Sequence, residues 1–183
     1  MTKPRIAFIN GSPRTDSFHG RLGAAIIAAS ADRLDFISPS LDLPLYNQDL
    51  DGKDPPAAWT EFRDTVRAVD GILFGSPEYN RSMTGTLKNA IDVGSRPYGH
   101  SAWDGKPCAV ISVSPGATGG FGANHHLRQC LVFLNMPAMQ QPEAYLAKAD
   151  KLFTGDDLSD ESARPFLQNF IDTFAAWVER HAD

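Results

Sequence analysis

The sequence has 183 residues, a formal net charge of -5 and two cysteines. A chain of this length is expected to form one domain, over residues 1–183, with an ordinary hydrophobic core. Two cysteines do not make a disulfide framework, so we expect a cytoplasmic protein. The sequence contains no run of Lys and Arg residues of the kind that binds nucleic acid or an anionic membrane. The apolar runs are too short for a signal peptide or a membrane helix, which leaves small molecules as the expected partners.

Strand and helix patterns alternate along the chain. Short apolar runs predict strands, and apolar residues that recur every three or four positions predict helices. In chain order we predict a strand at 5–10, a helix at 17–31, a strand at 34–38, a long loop rich in Pro and Asp, a helix at 57–69, a strand at 71–76, a helix at 84–93, a strand at 107–114, a helix at 123–134, a weak strand within 137–146, and a closing helix that runs from a cap at Ser159 or Asp160 to Ala182. The closing helix should turn an aromatic face towards the core, formed by Phe166, Phe170, Phe174 and Trp177.

This alternation is typical of an α/β fold, in which helices cover both faces of a parallel sheet. Continuous apolar runs such as "ILF" and "AVI" indicate strands buried on both sides. Five strands favour a doubly wound, three-layer α/β/α arrangement with the flavodoxin-like strand order 2-1-3-4-5. In that order, the loops after strands 1, 3 and 4 meet beyond the carboxyl ends of the strands, where open parallel sheets bind ligands.

The loop after the first strand, "GSPRTDSFHG", has the chemistry of a phosphate site. Ser12, Thr15 and Ser17 offer hydroxyl groups, and Arg14 offers a guanidinium. The amides of Ser17 and Phe18 lie where the next helix begins, and helix N-termini attract anions. The alternative interpretation is that Ser17 only caps the helix and Arg14 lies in solvent.

Asp16 in the same loop opposes anion binding, unless its carboxylate points away or its charge is offset. Other phosphate-binding loops do not match, because the residues lack the Lys-Ser/Thr pair of a nucleoside triphosphate site and the repeated glycines of a dinucleotide site. No cysteine stands in the loop as a phosphatase nucleophile. A terminal phosphate monoester is the group that the loop suits.

The loops after the third and fourth strands suit a planar ring. In "SPEYN", Pro77 fixes the chain, the amides of Glu78, Tyr79 and Asn80 are expected to bond the edge of a ring, and Tyr79 is expected to lie on its face. The loop "SPGATGGFG", which begins at Ser114, has four glycines in nine residues, so a ring can approach its backbone closely. The alternatives are an ordinary turn before a helix for the first loop and a flexible connector for the second.

The motifs "GSPRTDS", "PEYN" followed by "TGTLKNAID", and "SPGATGG" together resemble the signatures of the NADPH-dependent FMN reductases. This flavodoxin-like group includes quinone reductases, chromate reductases and azoreductases, and the resemblance covers residues 6–143. It implies FMN, with residues 77–80 along the isoalloxazine ring, Ser114 and the glycines from Gly116 on its other side, and a phosphate surrounded by Arg14, Ser17, Phe18 and His19. His19 replaces the asparagine that is usual in the family, and a charged imidazole there would strengthen phosphate binding.

The resemblance also implies an oxidoreductase that uses NADPH or NADH and reduces quinones, azo dyes, chromate or free flavin by ping-pong hydride transfer. No side chain is expected to act as an acid or base, and Arg81 is a candidate for steering anionic substrates. No metal site is expected, because His125 and His126 diverge by about 100° on a helix. Two alternatives stay open: an FMN-binding electron carrier, a class that is commonly more acidic than this chain, and a nonenzymatic module that binds a phosphorylated ligand.

Apolar residues in "HHLRQCLVFLNMP" predict a homodimer, and the family resemblance implies that such a dimer can pair further into a tetramer. The stripe expected to cover the sheet consists of Leu127, Cys130, Leu131 and Leu134. Val132 and Phe133 lie outside it, and four consecutive apolar residues sweep about 300° around a helix, more than one sheet can bury. We expect packing through this helix and the one that starts near Thr84, with Tyr46 and Asn47 close to the partner's flavin. The alternative is that Val132 and Phe133 tuck under the loop after strand 5.

Overall fold

The computed structural model describes residues 2–181 and has a five-stranded parallel sheet between two layers of helices. The strands of this sheet are β1 (Arg5–Asn10), β2 (Asp35–Ile37), β3 (Gly71–Gly75), β4 (Cys108–Val113) and β5 (Ala144–Leu146). A small hairpin pairs β6 (Phe153–Thr154) with β7 (Asp157–Leu158). The helices are α1 (Phe18–Ala29), α2 (Ala57–Arg67), α3 (Gly85–Gly94), α4 (Phe121–Phe133), α5 (Ala149–Leu152) and α6 (Arg164–His181), and a short 3-10 helix covers Gln48–Leu50.

The strand order is β2-β1-β3-β4-β5 with every neighbouring pair parallel, which confirms the predicted flavodoxin-like α/β fold. The five strands of the sheet and helices α1 to α4 lie within two residues of their predicted bounds or, for β5, within the predicted segment. Helix starts follow from the capping residues, since the hydroxyl oxygen of Ser17 accepts from the amide of Gly20 and that of Thr84 accepts from the amide of Leu87.

Helices cover both faces of the sheet, each over its own hydrophobic core. On one face α1 and α6 pack over a core that includes Leu22 and Phe170. On the other face α2, α3 and α4 pack over a core that includes Trp59 and Leu127. All residues of β3 and β4 are buried, as expected for continuous apolar strands in a covered parallel sheet. Across residues 2–181, no helix is both long enough and apolar enough to cross a membrane.

The C-terminal region differs from the predicted closing helix. The short helix α5 and the β6–β7 hairpin precede α6, which begins at Arg164 and not at a cap on Ser159 or Asp160. The carboxylate of Asp160 instead accepts from the amide of Ser162 in a separate turn, and its carbonyl accepts from Ala163. The predicted end at Ala182 lies outside the described residues.

The predicted inward face of the last helix is only half right. Phe170 and Phe174 are buried, but Phe166 is 36% exposed because it lies in the first turn, beyond the edge of the sheet core. Trp177 is half-buried, and its indole nitrogen donates to the carbonyl of Pro137 at 2.8 Å. The rest of the inward face is aliphatic, formed by Leu167, Ile171 and Val178.

The long loop between β2 and α2 is held by polar contacts. The guanidinium of Arg63 on α2 makes a two-pronged ion pair with Asp51, at 2.9 and 2.8 Å, and both side chains are buried. The indole nitrogen of Trp59 donates to the carbonyl of Pro44, and the side-chain amide of Asn89 binds the loop backbone at three positions. The loop therefore has a defined place beside α2 and α3.

Candidate functional site

The loops that follow β1 and β3 are in direct contact at the carboxyl ends of the strands. The amide of Gly11 donates to the carbonyl of Gly75 at 2.9 Å, and the hydroxyl of Thr84 donates to the carbonyl of Gly11 at 2.6 Å. A Cβ atom at Gly11 would lie 3.0 Å from the Cδ atom of Pro77. Only glycine therefore allows the two loops to approach this closely.

The loop after β3 is also fastened to the loop after β4. Oε2 of Glu78 accepts from the amide of Ala123 at 3.0 Å, in the first turn of α4, and this carboxylate side chain is only 11% exposed. Gly120, which precedes α4, has a φ of +83° and carries no capping side chain. Glu78 therefore supplies the negative charge at the N-terminus of α4. These contacts bring the three predicted loops together at one edge of the sheet.

The loop after β1 presents a row of unused backbone donors. Among residues 2–181, the amides of residues 15–19 donate to no protein acceptor, while the amide of Arg14 donates to the Ser12 hydroxyl. These amides lead into the N-terminus of α1, where the helix dipole favours an anion. Ser17 does cap the helix and the Arg14 side chain is exposed, as the alternative interpretation held. The cap uses only the amide of Gly20, so the amides of residues 15–19 remain available. This set of donors fits the phosphate of a mononucleotide.

The charge of Asp16 is offset. Nη2 of Arg21 on α1 donates to Oδ1 of Asp16, so the carboxylate is paired with a cation. This pairing meets the condition under which the loop accepts an anion. Arg21 was not predicted from the sequence as the counterion of Asp16. The available signal was its position five residues after Asp16, near the start of the same helix.

His19 is not a charged phosphate ligand. It is buried in the first turn of α1, where its Nε2 accepts from the amide of Val113 at 3.2 Å. Desolvation by burial lowers its pKa from 6.5 to about 4, against a hydrogen bond with the backbone of Ser76 that acts in the opposite direction. The expectation of a charged imidazole is therefore wrong at neutral pH, and His19 instead ties α1 to the ends of β3 and β4.

The residues of "PEYN" form a tight turn, and this turn uses one of the three backbone amides that were predicted to bind a ring. The amide of Tyr79 donates to the carbonyl of Ser82, and the amide of Ser82 donates back to Tyr79. Asn80 and Arg81 between them have positive φ angles of 53° and 64°, as in the two-residue turns of β-hairpins. The Tyr79 amide is thus unavailable for a ring, whereas among the described residues the amides of Glu78 and Asn80 have no protein acceptor. The Tyr79 side chain is 52% exposed and free to cover a ring face.

The glycine-rich loop after β4 is anchored, which does not fit a flexible connector. The amide of Ser114 donates to the carbonyl of Leu146 on β5, and the carbonyls of Ser114 and Gly116 accept from Ala149 and Lys148. The loop therefore offers a small-residue surface in a defined position.

The adjacent histidines of α4 diverge as predicted. Nε2 of His125 lies 2.8 Å from the hydroxyl of Tyr145, whereas Nδ1 of His126 lies 2.8 Å from the hydroxyl of Ser82. The two rings therefore contact different elements of the fold. Within residues 2–181 no cluster of three potential metal ligands occurs.

Comparisons with known proteins agree with these observations. The sequence profile of NADPH-dependent FMN reductases matches residues 4–151. The chain is 54% identical over 176 residues to a quinone reductase of Pseudomonas putida, covering 95% of this chain and 94% of that protein. It is 42% identical over 177 residues to a 2-hydroxy-1,4-benzoquinone reductase of a Burkholderia species, covering 95% of this chain and 96% of that protein.

Among solved structures, the chain is similar to the flavoenzyme NAD(P)H:(acceptor) oxidoreductase FerB from Paracoccus denitrificans. The TM-score is 0.91 at 38% sequence identity, covering 98% of this chain and 100% of that one. Because the family profile spans most of the chain and the relatives match along nearly their whole length, the chain belongs to the NADPH-dependent FMN reductase family and is an oxidoreductase that uses FMN and NAD(P)H.

Proposed function

We propose that this protein is an NAD(P)H:quinone oxidoreductase with FMN in the crevice between the three loops. The row of unused amides at residues 15–19 carries the proposal, because a phosphate group supplies the acceptors that they lack. The quinone reductases among its relatives support a quinone as the acceptor. We assign the phosphate to Ser12, Arg14, Thr15, Ser17 and Phe18, with Asp16 paired beside them. The ring is assigned to Pro77, Glu78, Tyr79, Asn80, Ser114 and Gly116.

When bound, FMN supplies two-electron transfer by taking a hydride from the nicotinamide and passing it to the acceptor. The chain's own part is to hold and orient. The amides after β1 bind the phosphate, the amides of Glu78 and Asn80 bind the ring edge, and Tyr79 shields one face. We propose that nicotinamide and acceptor occupy the same face of the flavin in turn. Double-reciprocal plots of initial velocity against NAD(P)H concentration, recorded at several fixed quinone concentrations, test this ping-pong scheme. Parallel lines support it, and intersecting lines contradict it.

The same site is proposed to admit azo dyes, chromate and free flavin as further acceptors. A steady-state screen of NADPH and NADH against each acceptor class and against quinones ranks them. Anaerobic mixing with both nicotinamides separates the enzyme from an electron carrier. An enzyme bleaches its flavin within the turnover time, whereas flavin that stays oxidised with both donors supports the carrier. The free thiols Cys108 and Cys130 support the proposed cytoplasmic location.

Arg14→Ala tests the phosphate assignment. Arg14 is exposed and directly precedes the unused amides, and losing a hydrogen bond to a charged group should weaken FMN binding by about 1.5 to 3 kcal/mol. Fluorescence titration of the apoprotein with FMN and riboflavin measures the effect, and riboflavin binding should not change. Arg180→Ala, at the exposed end of α6, is the control. Unchanged FMN affinity in the Arg14 variant would make Arg14 a surface residue only.

We also propose a homodimer that packs through α4 and α3 and can pair into a tetramer. Val132 is 81% exposed and Phe133 is 77% exposed at the end of α4, so the alternative that they tuck under the loop after β5 is wrong. Tyr98 is 83% exposed, and its side chain lines a surface cleft together with Phe133. Large exposed side chains of this kind, two of them adjacent on one helix end, favour a protein partner.

Phe133→Asp tests the dimer. A buried carboxylate without a partner is strongly unfavourable, so the variant should dissociate to monomers in light scattering at micromolar concentration. Asn169→Asp adds the same charge on the exposed face of α6 and should leave the mass unchanged. We propose that the loop with Tyr46 and Asn47 approaches the partner's flavin, so dissociation should lower activity. A monomeric wild type contradicts the dimer, and a fully active monomeric variant contradicts the link to the site.

A further inference from the structure

The proposed phosphate site contains a carboxylate that opposes its ligand. Asp16 lies within the row of unused amides, and its side chain is 73% exposed. A carboxylate without a counterion repels a phosphate dianion bound in the same loop, even when water lies between them. A mechanism that neutralises Asp16 is therefore part of the site's function.

Arg21 supplies that neutralisation from the first turns of α1. Its Nη2 donates to Oδ1 of Asp16, and its guanidinium carbon lies 5.7 Å from the centre of the Phe18 ring. The Arg21 side chain is only 23% exposed, so the pair has less freedom than an ordinary surface ion pair. Stacking on Phe18 adds a cation–π contact that orients the guanidinium.

The β6–β7 hairpin restrains Arg21 from the other side. Phe153 on the hairpin stacks on Phe18, with ring centres 6.3 Å apart and an angle of 26° between the rings. Oδ1 of Asp156, at the hairpin turn, lies 3.3 Å from Nε of Arg21. That nitrogen is buried and has no aligned hydrogen-bond acceptor, so its attraction to Asp156 is electrostatic. The hairpin thus confines both the ring and the guanidinium that stand behind the phosphate loop.

We propose that Arg21 is a positioning residue that makes this site selective for a phosphorylated flavin. By pairing with Asp16 it cancels the negative charge inside the row of amides, and the β6–β7 hairpin holds it there. The guanidinium acts through Asp16 and does not itself bind the phosphate. The inference rests on the phosphate site proposed above, and it adds a dependence of FMN binding on a residue outside the loop.

Titration of the apoprotein with FMN and with riboflavin tests the role of Arg21. Arg21→Gln should raise the Kd of FMN about five- to tenfold, the size expected for one uncompensated charge near a dianion in a solvated loop. The Kd of riboflavin should not change, because riboflavin carries no phosphate. The double variant Asp16→Asn with Arg21→Gln removes the loop carboxylate together with its counterion and leaves only the 91% exposed Asp156 unpaired, so it should restore the Kd of FMN to within about twofold of the wild type.

Further variants separate charge from structure. Arg21→Lys keeps the charge and should bind FMN nearly as the wild type does, and the effect of Arg21→Gln should shrink at high salt. Arg33→Gln breaks the ion pair with Asp172 away from the loop and should change neither flavin's Kd. Equal weakening of FMN and riboflavin by Arg21→Gln, or failure of the double variant to restore FMN binding, would overturn the proposal. A wild type that binds riboflavin as tightly as FMN would instead overturn the phosphate site itself.

Discussion

Asp51→Ala should lower the free energy of unfolding by about 3 to 5 kcal/mol, one of the largest single effects expected in this protein. The side chains of Arg63 and Asp51 are 5% and 4% exposed, and their two-pronged pair joins α2 to the long loop after β2. Removing the carboxylate leaves a buried guanidinium without its counterion. The hydrogen bond from its Nε to the carbonyl of Val93 cannot replace that charge.

Urea unfolding followed by tryptophan fluorescence measures this loss, because the Trp59 ring lies 5.8 Å from the Arg63 guanidinium. Asp64→Ala breaks an exposed pair with Arg67 on the same helix and should cost less than about 1 kcal/mol. Replacing Arg63 and Asp51 together with Met and Leu should cost much less than Asp51→Ala, since no charge is then left buried. A loss of less than about 1 kcal/mol in Asp51→Ala would show that water reaches the guanidinium.

His19→Asn should make the stability of the protein less sensitive to acid. Burial lowers the pKa of His19 from 6.5 to about 4, so the unfolded chain binds a proton that the folded chain excludes. The resulting contribution to stability is fully present above pH 6.5 and is lost as the pH falls to about 4. The shift corresponds to about 3 kcal/mol in total.

Urea midpoints at several pH values between 7.5 and 4, compared between wild type and His19→Asn, isolate this term, since the other titrating groups are common to both proteins. Asparagine keeps a side-chain oxygen that can accept from the amide of Val113, as Nε2 of His19 does. His126→Asn controls for the loss of an exposed histidine. Parallel pH profiles for wild type and His19→Asn would show that His19 takes up its proton in the folded protein at the ordinary pH.

The Arg63–Asp51 pair and His19 are both buried polar contacts close to the proposed site. Arg63 with Asp51, and His19 with the ends of β3 and β4, each fix a segment that borders the crevice. Neither side chain is assigned to the proposed ligand, yet both hold neighbouring segments in one arrangement. Such buried polar contacts are satisfied and rigid, so the donors of the neighbouring loops are oriented before any ligand binds.

The architecture could be predicted from the sequence because its signals are local. Apolar runs and helical periodicity identify the strands and helices, and alternation with short connections restricts the topology to a doubly wound sheet. The three loops were recognisable because parallel strands bring their carboxyl ends to one edge, whatever packs behind them. A cap at Ser17, one of the two interpretations of its loop, could also be considered from the sequence, since a cap joins residues only three apart.

What only the tertiary structure decided concerns groups whose partners lie far along the chain. The charge state of His19 depends on burial against residues of β3 and β4, more than fifty positions away, so its replacement of asparagine suggested a cation that desolvation removes. The counterion of Asp51 and the place of the β6–β7 hairpin over α1 are likewise non-local. The sequence by itself determined which elements form, which loops converge and which chemistry they carry. Burial and pairing across the fold determined which of those groups are charged, free to bind or already used, because desolvation and hydrogen bonding depend on the neighbours in space and not on those in the chain.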